Sequence, residues 1–528
     1  MDNQQMGQNP MGFGPMQAVP PIQGAPAAKP KKNKTGLIVG VLCAAAVVIV
    51  IGAGVLLAKS LLGGSPKKQL AKGFANMTRE MAAYQSSVAQ DVGLEEFNRL
   101  KSEKPIHTDM NFSLTDPEET GSFSSIDVGL DAVTDYQNKA AELDVSVGAY
   151  GFHMNVGSVI AADNMLYVSV PLLFEDTVYS LDLTNLGSAF NASAWSELME
   201  VTLPEEYSPL LFEDIKTEDV LEAGRQSELA QILEKQDSIL ENSMTFEQIQ
   251  AKREFAFDGA SGAFGGVRVT IDKDAYNAVL EGVCDDILAS DFYADYMKGY
   301  QMAYSEGFEA FQEDADEAVR QIFSVRFEQD FVLDFYLDKK GRIINMSTPF
   351  DIAVSSQYVE MDSVAIDIDF SGKERALDCI DGGIYVQAGD EILYMGISRT
   401  ADITEDFYSE NLTLSIQDNN SDDEITFWYA NEWGYADHTF DLNISMEVPG
   451  SSMGFTADGA YTDIVKGEEY TFRLNHGALK MDGEDFLLMT GSVTMEPGDS
   501  VGDVPENAVN ILEMSQSEIM GLIYGALF

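Results

Sequence analysis

Two stretches settle how this chain is built: HTDMNFSL at residues 107–114 and FDLNISMEV at residues 440–448. In the first, Met110, Phe112 and Leu114 alternate with Asp109, Asn111 and Ser113. In the second, Phe440, Leu442, Ile444, Met446 and Val448 alternate with Asp441, Asn443, Ser445 and Glu447. Successive side chains of a strand point to opposite faces, so this period of two predicts antiparallel strands with one dry and one wet face. Working outward, the same alternation runs through Ile126/Val128/Leu130, Leu143/Val145/Val147 and Phe152/Met154/Val156. It returns in Phe331/Leu333/Phe335/Leu337 and Val364/Ile366/Ile368/Phe370. Asp116-Pro117 and Asp163-Asn164 read as turns.

Between these runs the period changes to that of a helix. Leu70, Phe74, Met77, Met81, Tyr84 and Val88 recur at spacings of three and four. Further helices are expected between about Asp274 and Phe327 and near Asn507–Phe528. The fold class expected is therefore α+β: long antiparallel β-meanders, as a curved sheet or half-barrel, with helical insertions.

The chain has 528 residues, 45% hydrophobic and 10% aromatic, enough to fill a core. Its 87 Asp+Glu against 32 Lys+Arg give a formal net charge of −55. Nucleic-acid binding requires basic patches that neutralise phosphates, so no nucleic-acid partner is expected. The charge is unevenly placed. Residues 1–72 hold eight Lys and one acid, a net of +7, which leaves −62 for the rest.

Between the two regimes lies Thr35–Ala58, TGLIVGVLCAAAVVIVIGAGVLLA, without a charged residue. A helix rising ~1.5 Å per residue crosses a ~30 Å hydrocarbon core in about 20 residues, so this run predicts a transmembrane helix. The domain reading follows: a disordered Pro/Met/Gln/Gly-rich cytoplasmic tail at 1–34, the span at 35–58 and a juxtamembrane amphipathic helix within 59–106. An extracytoplasmic α+β domain then fills 107–528, with a subdivision at 107–250 and 251–528. The localisation expected is a cell membrane, crossed once, with the short N-terminus cytoplasmic and the large domain outside.

No catalytic constellation emerges. His107, His153, His438 and His476 are scattered outside any metal-ligand spacing. Gly450-Ser-Ser-Met-Gly454 matches GxSxG, but a nucleophile elbow needs a strand before it and a helix after it, and here two strand patterns meet. The chain is read as non-enzymatic, with no cofactor, no catalytic residue and no metal ligand. The acidic run Asp418–Glu424 offers hard oxygens for weak Ca²⁺ binding, but Asp423 stands where a calcium loop needs Gly. An acidic turn is the plainer account.

Two aromatic groups are the ligand-binding candidates. Tyr296, Tyr300, Tyr304 and Phe308 follow one another at i+4, a ridge suited to closing an apolar cavity or stacking on sugar rings. Trp428 and Trp433 belong to the aromatic run from Phe427 to Tyr435, where alternation sends Trp428 to the face opposite Phe427 and Tyr429.

Three phrases carry a resemblance: Asp163-Asn-Met-Leu-Tyr-Val168, Val267-Arg-Val-Thr-Ile-Asp-Lys-Asp274 and Phe335-Tyr-Leu-Asp-Lys-Lys-Gly-Arg-Ile343. They resemble uncharacterised single-pass extracytoplasmic proteins of Gram-positive bacteria and, more weakly, lipoprotein-carrier-like half-barrels. The resemblance implies a curved sheet wrapped around helices, able to hold an acyl chain, and carries no site residues over. The function expected is a membrane-anchored extracytoplasmic binding protein of the cell envelope, holding an apolar ligand between sheet and helices. Its alternatives are a structural or signalling ectodomain with a protein or glycan partner and, further off, a glycan-active enzyme.

Overall fold

The computed structural model describes residues 65–117, 125–149, 152–171, 177–199, 201–205, 207–208, 231–232, 235–236, 239, 243–290, 292–294, 297, 308–358, 361–419 and 424–527. The 1–34 tail and the 35–58 run lie outside them.

Helices α1 (Ser65–Val92) and α2 (Leu94–Lys101) lead into six strands: β1 (Ile106–Thr115), β2 (Ser125–Asp135), β3 (Ala140–Ala149), β4 (Phe152–Ala162), β5 (Met165–Ser169) and β6 (Val178–Asp182). Two short helices, α3 (Leu186–Asn191) and α4 (Ala194–Met199), precede the hairpin of β7 (Met244–Ala256) and β8 (Ser261–Ile271). Helices α5 (Lys273–Leu288) and α6 (Phe308–Ile322) follow. A long meander then begins with β9 (Arg326–Phe327), β10 (Phe331–Leu337), β11 (Ile343–Ser347), β12 (Ile352–Ser355), β13 (Ser363–Phe370) and β14 (Cys379–Ala388). It continues through β15 (Glu391–Ile403), β16 (Phe407–Asp418), β17 (Glu424–Gly434), β18 (Thr439–Val448), β19 (Ser451–Val465), β20 (Glu469–Met481) and β21 (Glu484–Pro497). The short β22 (Val509–Asn510) and α7 (Gln516–Leu527) complete the order.

One 22-stranded sheet dominates the molecule, which corrects the α+β expectation of long β-meanders, as a curved sheet or half-barrel, with helical insertions. The meander β13–β21 pairs strand by strand, and β21 then pairs antiparallel with β1, Met110 opposite Val493. That one junction fuses the N-terminal meander β1–β6 onto the C-terminal one, so the halves 107–250 and 251–528 share a single sheet. At one end β7 pairs with β8. At the other, β22 pairs in parallel with β6. Among the described residues no pairing joins β7 to β22.

The alternation that predicted strands also sorts the two faces across the whole sheet. Leu414, Phe427, Met446, Met453 and Met481 stand directly opposite one another in succession over β16–β20. Val493, Met110, Leu130 and Val145 do the same over β21, β1, β2 and β3. The reverse face reads Ser415, Thr426, Glu447 and Ser452 in one row, and Thr494, Asp109, Asp131 and Asp144 in another. Where aromatic rings crowd the apolar face, glycines make room. A Cβ on Gly491 would lie 2.5 Å from a Phe112 ring carbon, and one on Gly459 would lie 2.7 Å from a Phe440 ring carbon.

Among the register shifts of the sheet, two re-phase the apolar face. In β4 the partners shift between Val145 and Ser146, which leaves Val156 as the extra residue of a bulge. The apolar phase therefore passes from Met154 to Gly157 and Val159, and Val156 does not continue it. A second shift, in β20 between Leu474 and Gly477, re-phases that strand in the same way. Asp163 and Asn164 both adopt positive φ (50° and 62°), giving the two-residue turn that their side chains favour.

Helix α1 lies against the apolar face at one half of the sheet. Phe74 meets Phe335 edge-on at 5.5 Å, Tyr84 meets Tyr408 at 6.3 Å, and a Cβ on Gly73 would come within 2.8 Å of Ile343. At its C-terminal end Asp91 accepts a hydrogen bond from the Trp433 indole (3.1 Å) and contacts His438 Nδ1 (2.7 Å). Phe97 of α2 then packs edge-on against Tyr470. Helix α5 is capped by Asp272, whose carboxylate accepts from the amides of Asp274 and Ala275. It stacks Tyr276 against Phe327 and Phe331. The main core therefore gathers Leu70, Val267, Leu280, Ile343, Ile352 and Val386, between these helices and the β8–β17 portion of the sheet.

Thr35–Ala58, expected to cross a membrane, is outside the described residues, and no described helix is long and apolar enough to do so. Helix α1 has the length, at 28 residues, but it carries Lys67, Lys68, Lys72, Arg79 and Glu80.

Candidate functional site

The apolar face is covered unevenly. The broadest helix–strand approaches fall on β7, β8, β9 and β11, and on the 3₁₀ turn Ala376–Asp378, while α1 and α2 also reach Tyr408, Trp433 and Tyr470 on β16, β17 and β20. Over β18–β21 and β1–β4 the apolar side chains are mostly half-buried rather than enclosed. Several stand well out: Met453 is 60% exposed, Met481 49%, Met446 43% and Phe152 77%. The described residues thus leave most of the apolar face of these eight adjacent strands without a described helix packed on it, apart from Phe97 of α2 on Tyr470. At ~4.8 Å between strands this is a strip roughly 34 Å wide.

A cavity of about 550 Å³ opens where α1 leaves this face. Its walls are Met81, Tyr84, Leu377, Ile380, Tyr408 and Tyr429, and its polar floor is Arg399, Glu410 and Asn431. Arg399 and Glu410 occupy positions whose strand phase belongs to the apolar face, and they satisfy each other there. Arg399 Nε donates to Glu410 Oε1 at 2.5 Å, and Arg399 Nη1 donates to the Leu377 carbonyl. Tyr408 donates its hydroxyl to Glu410 Oε2, and Tyr84 donates to Asp378 Oδ1 at 2.5 Å. The Arg399 guanidinium also lies 4.3 Å from the Tyr84 ring centre, a cation–π contact.

Burial, with the hydrogen bond to Asp378, pushes the Tyr84 hydroxyl well above its ordinary range. Burial and the bond to Glu410 do the same for Tyr408, and burial beside Glu410 raises Tyr429. Burial works against the Arg399 charge, but Glu410 outweighs it and raises the guanidinium's pKa. At neutral pH the floor is therefore one matched ion pair ringed by neutral phenols.

The sequence candidates fare unequally. Tyr296, Tyr300 and Tyr304 lie outside the described residues, and Phe308 opens α6 with its side chain outside them. Trp433 is 2% exposed, pinned on the apolar face beneath the end of α1, whereas Trp428 projects from the opposite face at 38% exposure. The two tryptophans therefore do not form one platform. Arg399, Glu410 and Asn431 were not singled out from the sequence. The signal available was two charges and an amide in the apolar phase of β15–β17.

Other chemistry does not converge. Gly450, at φ 84°, turns β18 into β19 as a hairpin, so Ser452 sits on no nucleophile elbow. Asp418 and Glu424 end and begin the paired strands β16 and β17, and residues 420–423 between them lie outside the described residues. Among the described residues no three His, Cys, Asp or Glu side chains gather as metal ligands. Cys284 and Cys379 are free thiols. On the polar face, Asn345 Nδ2 donates to both Asp367 and Asp369 at 2.7 Å, and Arg253 reaches Asp367 at 3.4 Å. Those carboxylates staple neighbouring strands rather than line a catalytic cleft.

No family model and no curated protein matches the chain. The solved structures that match include proteins named as porins. A triple mutant of the Rh. blastica porin is 8% identical at a TM-score of 0.19, over 74% of this chain and 99% of that one. OpdO of Pseudomonas aeruginosa is 6% identical at 0.20, over 74% and 95%. A BenF-like porin of Pseudomonas fluorescens is 7% identical at 0.17, over 75% and 97%. These are porins rather than lipoprotein-carrier half-barrels or proteins anchored by one helix. With no spanning helix among the described residues either, the expectation of a single-pass, membrane-anchored envelope binding protein with an extracytoplasmic domain is corrected. At these TM-scores the matches amount to a shared abundance of long antiparallel strands. One feature of this chain also differs from a spanning barrel: a charged helix crosses its apolar face.

Proposed function

We propose that the uncovered apolar face is a cradle that takes up apolar chains and holds them without chemical change. The observation that carries this reading is the pair of registered apolar rows, Leu414 to Met481 over β16–β20 and Val493 to Val145 over β21–β3, half-buried or exposed and set apart from Tyr408, Trp433 and Tyr470, where α1 and α2 pack. A sheet face of this size left to water is costly, at about 25 cal/mol per Å² of apolar surface, and contiguous apolar patches of this kind mark interaction sites. The ligand lies along the strands' apolar face, in contrast to the enclosed position between sheet and helices expected from the sequence. The acidic reverse face keeps the protein soluble and gives the cradle its sidedness.

The test uses the full chain and Nile red, a neutral apolar fluorophore. Enhanced, saturable emission is expected, and Leu130→Lys, in the middle of a row, abolishes most of it while the unfolding midpoint holds. No saturable binding by the unsubstituted chain, or full binding by Leu130→Lys, refutes the cradle.

A further inference from the structure

Resting on that reading, we infer that the chains held there end in an uncharged hydrogen-bonding head group, such as a glycerol monoester or a primary amide, seated at Asn431 and Tyr429. The cavity at the edge of the cradle has two kinds of polar group. The charged kind is already spent: Arg399 is bound to Glu410 and to the Leu377 carbonyl, and Glu410 also receives the Tyr408 hydroxyl. A ligand carboxylate or phosphate would have to break Glu410 away from Arg399 or stand beside it unpaired. A ligand ammonium would meet the reverse difficulty. Separating such a half-buried pair leaves one charge without its partner, which disfavours both.

The second kind is unspent. The side chains of Asn431 and Tyr429 line the same cavity, and neither makes a hydrogen bond to another described side chain. An amide and a phenol each offer both a donor and an acceptor, the complement of paired hydroxyls or of a carboxamide. The register ties this polar spot to the cradle. Asn431 stands opposite Leu442, and Tyr429 opposite Ile444, so the next strand over already belongs to the apolar face. A chain laid along that face places its end at these two groups. The neutral state of the surrounding phenols, all pushed upward by burial, keeps the spot free of added negative charge.

The test displaces Nile red from the full chain with three ligands sharing one eighteen-carbon chain: monooleoylglycerol, methyl oleate and oleate. Monooleoylglycerol is expected to displace the dye at about tenfold lower concentration than methyl oleate, the gain of one or two hydrogen bonds. Oleate is expected to be weaker than monooleoylglycerol. The double substitution Asn431→Leu with Tyr429→Phe brings monooleoylglycerol to parity with methyl oleate. Oleate displacing as well as monooleoylglycerol, or a ratio that survives the double substitution, overturns the head-group inference while the cradle stands. Absence of dye binding by the unsubstituted chain defeats both.

Discussion

If half of the sheet is an enclosed core and half an open cradle, the same chemical truncation must cost different amounts in the two halves. Ile343 is 1% exposed, held between the sheet and Gly73 of α1. Ile343→Ala removes three carbons from an enclosed site and leaves a void that α1 cannot easily fill, at a cost of about 3–4 kcal/mol. Leu130 is half-buried on β2, flanked by Met110 and Val145 and open above. Leu130→Ala loses part of its transfer free energy and creates no enclosed void, at a cost of about 1 kcal/mol. Urea unfolding at fixed pH, read as the midpoint multiplied by a common slope, separates the two values. Equal losses of about 3 kcal/mol at both sites would mean that Leu130 is enclosed, and the cradle would not exist as described.

Three further outcomes follow from the geometry. His107 touches Glu496 and Asp131, and although burial alone would lower its pKa, those two hydrogen bonds raise it above the ordinary 6.5. The charged imidazole stabilises the folded state fully below that unfolded value. The gain is lost as pH rises through the raised folded one, so urea midpoints should fall across that window and His107→Gln should flatten the fall. Asp334, 3% exposed, receives two hydrogen bonds from Arg268 at 2.6 and 2.7 Å, while Arg268 itself reaches solvent. Asp334→Ala should cost about 1–3 kcal/mol in the same assay, and a loss below the measurement error contradicts the pairing. Asp272→Ala removes the α5 cap and should cost about 1 kcal/mol, with Asp272→Asn recovering most of it.

The strands were legible because alternation is a local property. Met110/Phe112/Leu114 and Phe440 to Val448 announce both their period and their dry face without reference to anything distant. What joined them was not local. The pairing of β21 with β1 links residues almost four hundred positions apart, and each strand alone is equally content with another neighbour. The bulge at Val156 was hidden for a related reason: Phe152, Met154 and Val156 read as one phase until the partner strand forces an extra residue out. The aromatic candidates misled in part because aromatic content says little about which face a ring takes. Trp428 and Trp433 sit five positions apart, an odd interval, so a straight strand sends them to opposite sides. The cavity floor was written as polar residues in an apolar phase. Arg399, opposite Leu412, and Glu410, opposite Ala401, become diagonal neighbours only after the turn at 404–406 has fixed the register of β15 against β16.

The central claim is most directly tested by photo-crosslinking the full chain with methyl oleate that carries a diazirine at mid-chain, followed by peptide mapping. The account predicts labels on apolar-face residues of β16–β20 and β21–β3, such as Phe427, Met453, Met110 and Leu130. Labels confined to the enclosed core between α1, α5 and β8–β13, or spread evenly over the acidic face, would contradict it.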